Sequence, residues 1–189
     1  MPSNAKPASH SRTTIVELMI PAYANFGGKI HGGILLGLMD KVAYACATRH
    51  ARSYCVTVSA DNVEFRKPVE VGDLVSLHAS VNYVGRTSLM VGIRIDAENI
   101  STGEVRHTNT CYFTMVAKGE DDKPVLVPEL LLENREDVRR YLEAIKRRSL
   151  SERYRVELDN ERTSLSVDTE LHLLEGQRCQ MTDNALDQD

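Results

Sequence analysis

The residues best suited to chemistry lie in one glycine-rich stretch near the start of the chain. Asn25 is followed by the pair Gly32-Gly33 and, fifteen positions after Asn25, by Asp40. Nearly every side chain from residue 34 to residue 47 is apolar apart from Asp40 and a neighbouring lysine, which is typical of a helix buried on all sides. A carboxylate in such a helix costs several kcal/mol of desolvation unless it is paired or takes part in a reaction. Asp40 is therefore the first candidate for a catalytic residue.

Two kinds of chemistry are open to Asp40. An apolar environment raises the proton affinity of a carboxyl group, so Asp40 could act as a general base on water or as a direct nucleophile. At the positive end of the helix, the backbone N–H groups of Gly32 and Gly33 would suit a carbonyl oxygen or an anion. Gly33 lies roughly 10 Å along the helix axis from Asp40, too far for both to reach one reacting carbon. They could meet only across a symmetric dimer.

The order of Asn25, His31-Gly32-Gly33 and Asp40 at these separations resembles the signature of the hotdog-fold acyl-CoA thioesterases. The resemblance covers about residues 13–130. The stretch 113–117, with the polar linker and residues 124–128 after it, is similar to the YciA-type and brain-type acyl-CoA hydrolases. This implies an enzyme that hydrolyses acyl-CoA to free CoA and a carboxylic acid. It also implies a homodimer as the active unit, assembled as a trimer of dimers into a homohexamer.

The resemblance implies a role for each residue of the signature. Asn25 would orient the water or the thioester opposite Asp40 across the dimer, and the N–H groups of Gly32 and Gly33 would bind the thioester oxygen as its charge develops. His31 would shape the loop or touch the substrate. A Ser-His-Asp mechanism through His31 is disfavoured because the chain has no G-x-S-x-G elbow.

The coenzyme A part of the substrate carries phosphates, which bind Arg, Lys and free N–H groups. Arg86-Thr87-Ser88 resembles the family's Arg-Thr-Ser segment and is predicted to bind the pantetheine or nucleotide end. Arg66, Lys67 and Lys118 are further candidates for the phosphates. We expect no metal and no cofactor, since coenzyme A belongs to the substrate and the product.

The hydrophobic pattern predicts the elements that would position these residues. It predicts a strand at residues 14–20, the long helix at 34–47, and four further strands separated by turns, at residues 54–65, 74–84, 88–99 and 105–118. Such a sheet needs one apolar face covered, and the apolar helix can cover it. The prediction is an α+β hotdog fold, a curved antiparallel β-sheet wrapped around a long central α-helix, with a C-terminal helix and tail.

The rest of the chain divides by composition. Residues 1–12 are predicted to be disordered, and residues 13–130 to form the hotdog thioesterase domain. Residues 131–148 are predicted to form an amphipathic helix that docks through an apolar stripe, namely Val138, Tyr141, Leu142 and Ile145. Residues 149–189 are interpreted as a polar tail that is partly disordered or lies on a neighbouring subunit.

Charge and composition exclude several classes of partner. A net charge of −4 gives no general attraction to nucleic acid or to an anionic membrane, and no run approaches the roughly 20 apolar residues of a bilayer span. We expect a cytoplasmic protein, with an organelle import signal as the alternative because the N-terminal segment is short, basic and Ser-rich. The four cysteines are interpreted as small buried hydrophobes or a tail thiol.

Two other functions compete with the thioesterase. A non-catalytic acyl-CoA-binding hotdog regulator would ordinarily lack the acidic residue on the helix and carry a basic helix-turn-helix, whereas this chain has Asp40 and no such segment at either end. A hotdog dehydratase would need a catalytic His paired with an acid, and His31 lies in a different context. The thioesterase is therefore the preferred prediction.

Overall fold

The computed structural model describes residues 4–61, 63–65, 67–182 and 185–186 of the 189-residue chain. Arg66, one of the predicted phosphate ligands, lies outside the described residues. The chain divides into two compact units, Met1–Ile145 and Lys146–Asp189. In chain order the elements of the first unit are β1 (Lys6–Pro7), α1 (Ala8–Ser11), β2 (Thr13–Leu18), a 3-10 turn (Pro21–Tyr23), α2 (Gly32–Ala51), β3 (Tyr54–Asp61), β4 (Asp73–Val84), β5 (Ser88–Asn99), β6 (Glu104–Lys118), β7 (Leu130–Leu131) and the start of α3 (Arg135–Ser164).

Five strands form one antiparallel sheet in the order β2-β4-β5-β6-β3, so β2 and β3 are its edges. Helix α2 contacts all five strands, which means that the sheet wraps around it. The alternating residues predicted to face one way in β4 and β5 are indeed buried in this core, among them Val75, Leu77, Val91, Ile93 and Ile95. The predicted α+β architecture of a curved antiparallel sheet around a central helix is confirmed.

Helix α2 is longer than predicted and is buried on one side only. Its sheet-facing side is fully covered, with Met39, Val42 and Cys46 each at 0% exposure. On the other side Gly37, Asp40 and a few neighbouring side chains stay exposed. The expectation of a helix buried on all sides is therefore wrong for the single chain, because the sheet encloses only part of the helix circumference.

The N-terminal segment is structured from residue 6 to residue 11. Ser11 is fully buried, where its hydroxyl donates to the Ala8 carbonyl (2.9 Å) and accepts from the Val81 N–H (3.0 Å). Lys6 Nζ donates to the backbone carbonyl of His50 (2.6 Å), near the C-terminal end of α2. The prediction of disorder is wrong for residues 6–11. A few specific hydrogen bonds order this segment, and amino-acid composition does not reveal such bonds.

The C-terminal helix α3 also differs from its prediction. It begins at Arg135 and continues to Ser164, well beyond residue 148. In the first unit its buried residues are Asp137 and Ala144, and the ring of Tyr141 packs against Tyr83 with 5.2 Å between centroids. Three residues of the predicted docking stripe are exposed, namely Val138, Leu142 and Ile145.

Polar contacts explain this difference in helix orientation. Asp137 accepts from the Glu133 N–H and from Asn134 Nδ2, and pairs with Arg12. These contacts hold Asp137 in a buried position, so the buried face of α3 is not the stripe predicted from apolar residues alone. The second unit contains the end of α3, α4 (Val167–Glu170) and a 3-10 turn (Leu171–Leu174).

The burial of His50 near the end of α2 predicts a pH dependence of the free energy of unfolding. Its Nε2 donates to the Pro128 carbonyl (2.9 Å), and burial lowers the pKa of the ring, with the charge of Lys6 acting in the same direction. An unfolded histidine takes up a proton near about pH 6.5, whereas the native ring, whose pKa is lower, takes it up only at a lower pH, so the free energy of unfolding should fall as the pH falls through this range. We expect wild type to lose more stability than His50→Gln between about pH 7.5 and pH 5.5. Denaturant titrations at equal protein concentration measure this loss, and equal losses in both proteins would contradict it.

Candidate functional site

Asp40 lies midway along α2 on the exposed side of the helix. Thr57 of β3 donates its hydroxyl hydrogen to Asp40 Oδ1 at 2.6 Å, and its oxygen lies 3.3 Å from Met115 Sδ. One carboxylate oxygen is thus fixed between the helix and the sheet. Sequence reasoning missed Thr57, since alternation marked it only as one polar residue of a half-buried strand.

The register of β3 explains why Thr57 reaches the helix. The ladder is regular from Tyr54 to Thr57, so Thr57 faces the same side as the buried Cys55. It becomes irregular only after Thr57, at Val58. Val58 is 61% exposed, and the strand ends at Asp61 rather than at the predicted residue 65. Because β3 is an edge strand, its other side has no partner strand among the residues that the structure describes.

Asn25 organises the loop that precedes α2. Its Oδ1 accepts from the N–H groups of Gly27 (2.9 Å) and Lys29 (3.2 Å), and its own N–H donates to the Lys29 carbonyl. The loop is anchored to the start of β4 because Lys29 Nζ binds Glu70 at 2.6 Å. Asn25 therefore shapes the turn, and its Nδ2 is not engaged in these bonds. No hydrogen bond joins Asn25 to Asp40 among the residues that the structure describes.

His31 is the cap of α2. Its Nδ1 accepts from the Gly33 N–H at 2.9 Å, and a Cβ at Gly33 would lie only 3.1 Å from that nitrogen. Glycine at position 33 therefore permits the close approach of the ring. Within the single chain the Gly33 N–H is thus donated to His31, and its role as a donor to the thioester oxygen stays a prediction. In the part of the chain that is described, the Gly32 N–H has no such partner.

A second anchor holds the residue before this loop. Tyr23 donates its hydroxyl hydrogen to Glu17 Oε1 (2.9 Å), which raises the pKa of Tyr23, and its carbonyl accepts from the His31 N–H (2.8 Å). The helix start is therefore tied to β2 through Tyr23 and to β4 through the loop. These fixed contacts keep the glycine turn in one geometry before any substrate arrives.

The predicted coenzyme A segment lies at the other end of the sheet. Arg86, Thr87 and Ser88 turn from β4 into β5, whereas the Asn25 loop meets the start of β4. The twelve residues of β4 span roughly 40 Å, so a single chain does not bring the two groups together. Lys67 lies in the loop before β4, and Lys118 is engaged with Asp122.

The buried cysteines do not compete with Asp40 as nucleophiles. Burial raises the pKa of Cys46 to about 12 and that of Cys111 to about 12, and it also raises the pKa of Cys55. A thiol is reactive only as the thiolate. These three cysteines are therefore the small buried hydrophobes that the sequence predicted.

A cavity lies away from this site. It has a volume of about 560 Å³ and lies between the start of α3 and the outer face of the sheet, bordered by Arg12, Arg94, Arg139 and Arg140. Each of these guanidinium groups is already paired with a carboxylate, those of Asp137, Asp96, Glu136 and Glu143. The cavity is thus electrostatically balanced, and Asp40 with its open helix face remains the stronger candidate.

Comparison with known proteins gives a consistent set of relatives. The thioesterase superfamily model matches residues 27–104. Protein VdlD of Helicobacter pylori is 45% identical over 77% of this chain and 83% of its own length. The uncharacterized acyl-CoA thioester hydrolase YkhA of Bacillus subtilis is 33% identical over 72% of this chain and 80% of its own.

Solved structures agree with these relatives. The acyl-CoA hydrolase of Bacillus cereus superposes with a TM-score of 0.78 at 33% identity, covering 86% of this chain and 99% of its own. A hexameric acyl-CoA thioesterase superposes with a TM-score of 0.74 at 35% identity, covering 86% of this chain and 99% of its own. The Staphylococcus aureus acyl-CoA hydrolase in complex with butyryl coenzyme A, coenzyme A and coenzyme A disulfide superposes with a TM-score of 0.76 at 28% identity, covering 82% of this chain and 95% of its own.

Variant structures of the Staphylococcus aureus hydrolase bear on individual residues. Alanine replaces one Asn, one Asp and one Thr in them, and the separations of these positions, 15 and 17 residues, equal those of Asn25, Asp40 and Thr57 here.

Among the described residues no helix is both long and apolar enough to cross a membrane.

The capping geometry of His31 predicts a stability effect that is separate from any chemistry. Removing a side chain that caps a helix costs about 1 kcal/mol, so His31→Ala should lower the free energy of unfolding by about that amount. His31→Asn should retain most of the stability, because Asn is a good capping residue. Denaturant unfolding of the three proteins measures this. A fully stable His31→Ala would show that the ring does not cap α2.

Proposed function

This chain belongs to the hotdog-fold acyl-CoA thioester hydrolases of the thioesterase superfamily, and from this premise we propose how its own residues cleave the substrate. It is an acyl-CoA thioesterase that converts acyl-CoA and water into free CoA and a carboxylic acid. The observation that carries the mechanism is the bond from Thr57 to Asp40. It fixes Oδ1 of a carboxylate that is open to the outside of the chain.

Asp40 is proposed to act as the base. With Oδ1 held by Thr57, Oδ2 can take a proton from water while the water oxygen bonds to the thioester carbon. The carbonyl oxygen becomes an oxyanion, for which the Gly32 N–H at the positive end of α2 is a suitable donor. When the C–S bond breaks, the proton held by Asp40 passes to the sulfur of coenzyme A. Direct attack by Asp40, which gives an anhydride, is the alternative route.

A second copy of the chain is proposed to complete the site. The edge of β3 is unpaired, and several apolar side chains around it are exposed, namely Phe26, Leu36, Tyr44 and Val58. Pairing two copies across this edge and this helix face would cover them and exclude water from Asp40. The Asn25 loop and Gly32 of one subunit could then face Asp40 of its partner, which a single chain does not allow.

The larger assembly and the substrate contacts follow from the same proposal. Hexameric acyl-CoA thioesterases are among the structural relatives, which supports a trimer of such dimers here. In a dimer or hexamer, Arg86, Thr87 and Ser88 from another subunit could reach the coenzyme A end of a substrate bound at Asp40. Lys67 is a further candidate for its phosphates.

No resident cofactor or metal is proposed. Water, the Asp40 carboxylate and the thioester together supply every atom and proton of the hydrolysis. A cytoplasmic location is proposed because Cys46, Cys55 and Cys111 are free buried thiols, as is usual in a reducing compartment. The non-catalytic regulator and the dehydratase have no structural observation in their favour, since Thr57 and Asp40 form a base-positioning pair and His31 caps a helix.

The central test is the release of free thiol from acyl-CoA. Asp40→Asn keeps the size of the side chain but cannot accept the proton, so we expect kcat to fall by about 100-fold or more, as general-base removal commonly does. Thr57→Val should lower kcat less, and Thr57→Ser should restore much of it, because the serine hydroxyl can again donate to Asp40. Thiol release with a chromogenic disulfide measures all four proteins.

The control is Asp159→Asn, which changes an exposed carboxylate on α3. It should keep wild-type kcat. Near-normal turnover by Asp40→Asn, with the protein folded and associated as wild type, would contradict the assignment of Asp40. No thiol release by wild type from any acyl-CoA would contradict the activity itself.

A further inference from the structure

The exposed face of α2 differs on the two sides of Asp40. One turn toward the N-terminus lies Gly37, where an added Cβ would meet no atom within 4 Å. One turn toward the C-terminus lies Tyr44, which is 41% exposed. The helix surface is thus open on one side of the carboxylate and occupied by an aromatic ring on the other.

Tyr44 is supported by a second ring. Its centroid lies 6.1 Å from that of Tyr54, the first residue of β3, with 60° between the ring planes. Tilted aromatic pairs at this separation attract each other beyond their simple burial. Tyr44 therefore packs against the start of β3 through this ring pair, on the C-terminal side of Asp40.

The two sides of Asp40 therefore offer different surfaces to a substrate. The open surface at Gly37 leaves room for a pantetheine arm and leads past the exposed Leu36 to the start of α2. The side of Tyr44 presents aromatic surface, which suits a hydrocarbon chain. A thioester whose carbonyl carbon sits at Asp40 would accordingly direct its acyl chain toward the tyrosines.

On these grounds, and resting on the thioesterase function proposed above, we propose that Tyr44, packed against Tyr54, blocks the path of the acyl chain along the exposed face of α2 and limits the chain length. The rise from Asp40 to Tyr44 is four residues, or roughly 6 Å, a length that an acyl chain of only a few carbons spans. The enzyme should therefore prefer short acyl-CoAs, and longer chains should be hindered by the ring of Tyr44. Tyr44 acts here on specificity and not on the chemical step.

The test compares kcat/KM along a series of straight-chain acyl-CoAs from acetyl to palmitoyl. For Tyr44→Ala we expect the ratio of long-chain to short-chain kcat/KM to rise by about tenfold or more, as pocket size effects commonly do. Tyr54→Ala should change the ratio in the same direction by a smaller factor, because it removes the ring that packs against Tyr44. Tyr44→Phe keeps the ring and should keep the wild-type ratio.

Two controls separate specificity from general damage. Tyr154→Ala removes an exposed tyrosine of α3 and should leave the profile unchanged. Gly37→Val fills the opposite side and should raise KM for all chain lengths alike. Size-exclusion chromatography of each variant establishes that the assembly is retained.

Three results would overturn the inference. The first is an unchanged chain-length ratio in both Tyr44→Ala and Tyr54→Ala. The second is an equal loss of kcat/KM at every chain length, which would make the pair merely structural. The third is a Gly37→Val variant that selectively loses long chains, since the acyl chain would then lie on the glycine side. Hydrolysis of no acyl-CoA by wild type would instead contradict the proposed function.

Discussion

The hydrogen bond between Thr57 and Asp40 joins the central helix to the edge strand of the sheet. It constrains both elements, because the Thr57 hydroxyl on the core-facing side of β3 lies 2.6 Å from Asp40 Oδ1. It also lies where the fold leaves α2 uncovered. Covering a charged group on an otherwise apolar helix face costs desolvation free energy, unless the covering surface supplies a polar partner for the charge. The exposed face of α2 therefore both carries the candidate catalytic carboxylate and favours association with another subunit.

The sequence predicted the fold because the core follows simple periodicity. The strands β4 and β5 alternate cleanly through Val75, Leu77, Val91 and Ile93, and the apolar run of α2 had to fill their concave side. The sequence also led to Asp40, since a carboxylate in that run has no structural explanation. Asn25 and His31 lie, as predicted, in the loop that precedes the helix. Their detailed contacts, an Asx turn and a histidine cap, depend on side-chain geometry that spacing does not encode.

Other features were outside the reach of sequence patterns. Asp40 is exposed in the single chain, and sequence composition does not distinguish a helix face that the chain's own sheet covers from one that it leaves open. Thr57 was missed because the alternating valines suggested the opposite face of β3 as the buried one. The docking face of α3 was wrong because a buried acid held by polar contacts, Asp137, does not appear in a pattern of apolar residues.

The central claim is that one active site uses the Asn25 loop of one subunit and Asp40 of another. Mixed assemblies of Asn25→Ala and Asp40→Ala subunits test it most directly, with different affinity tags to establish that mixed dimers form. Each mixed dimer would contain one intact site and one doubly defective site, so an equal random mixture should recover about one quarter of wild-type thiol release. Activity no higher than that of the two variants measured separately, in verified mixed dimers, would contradict the claim and place the complete site within a single chain.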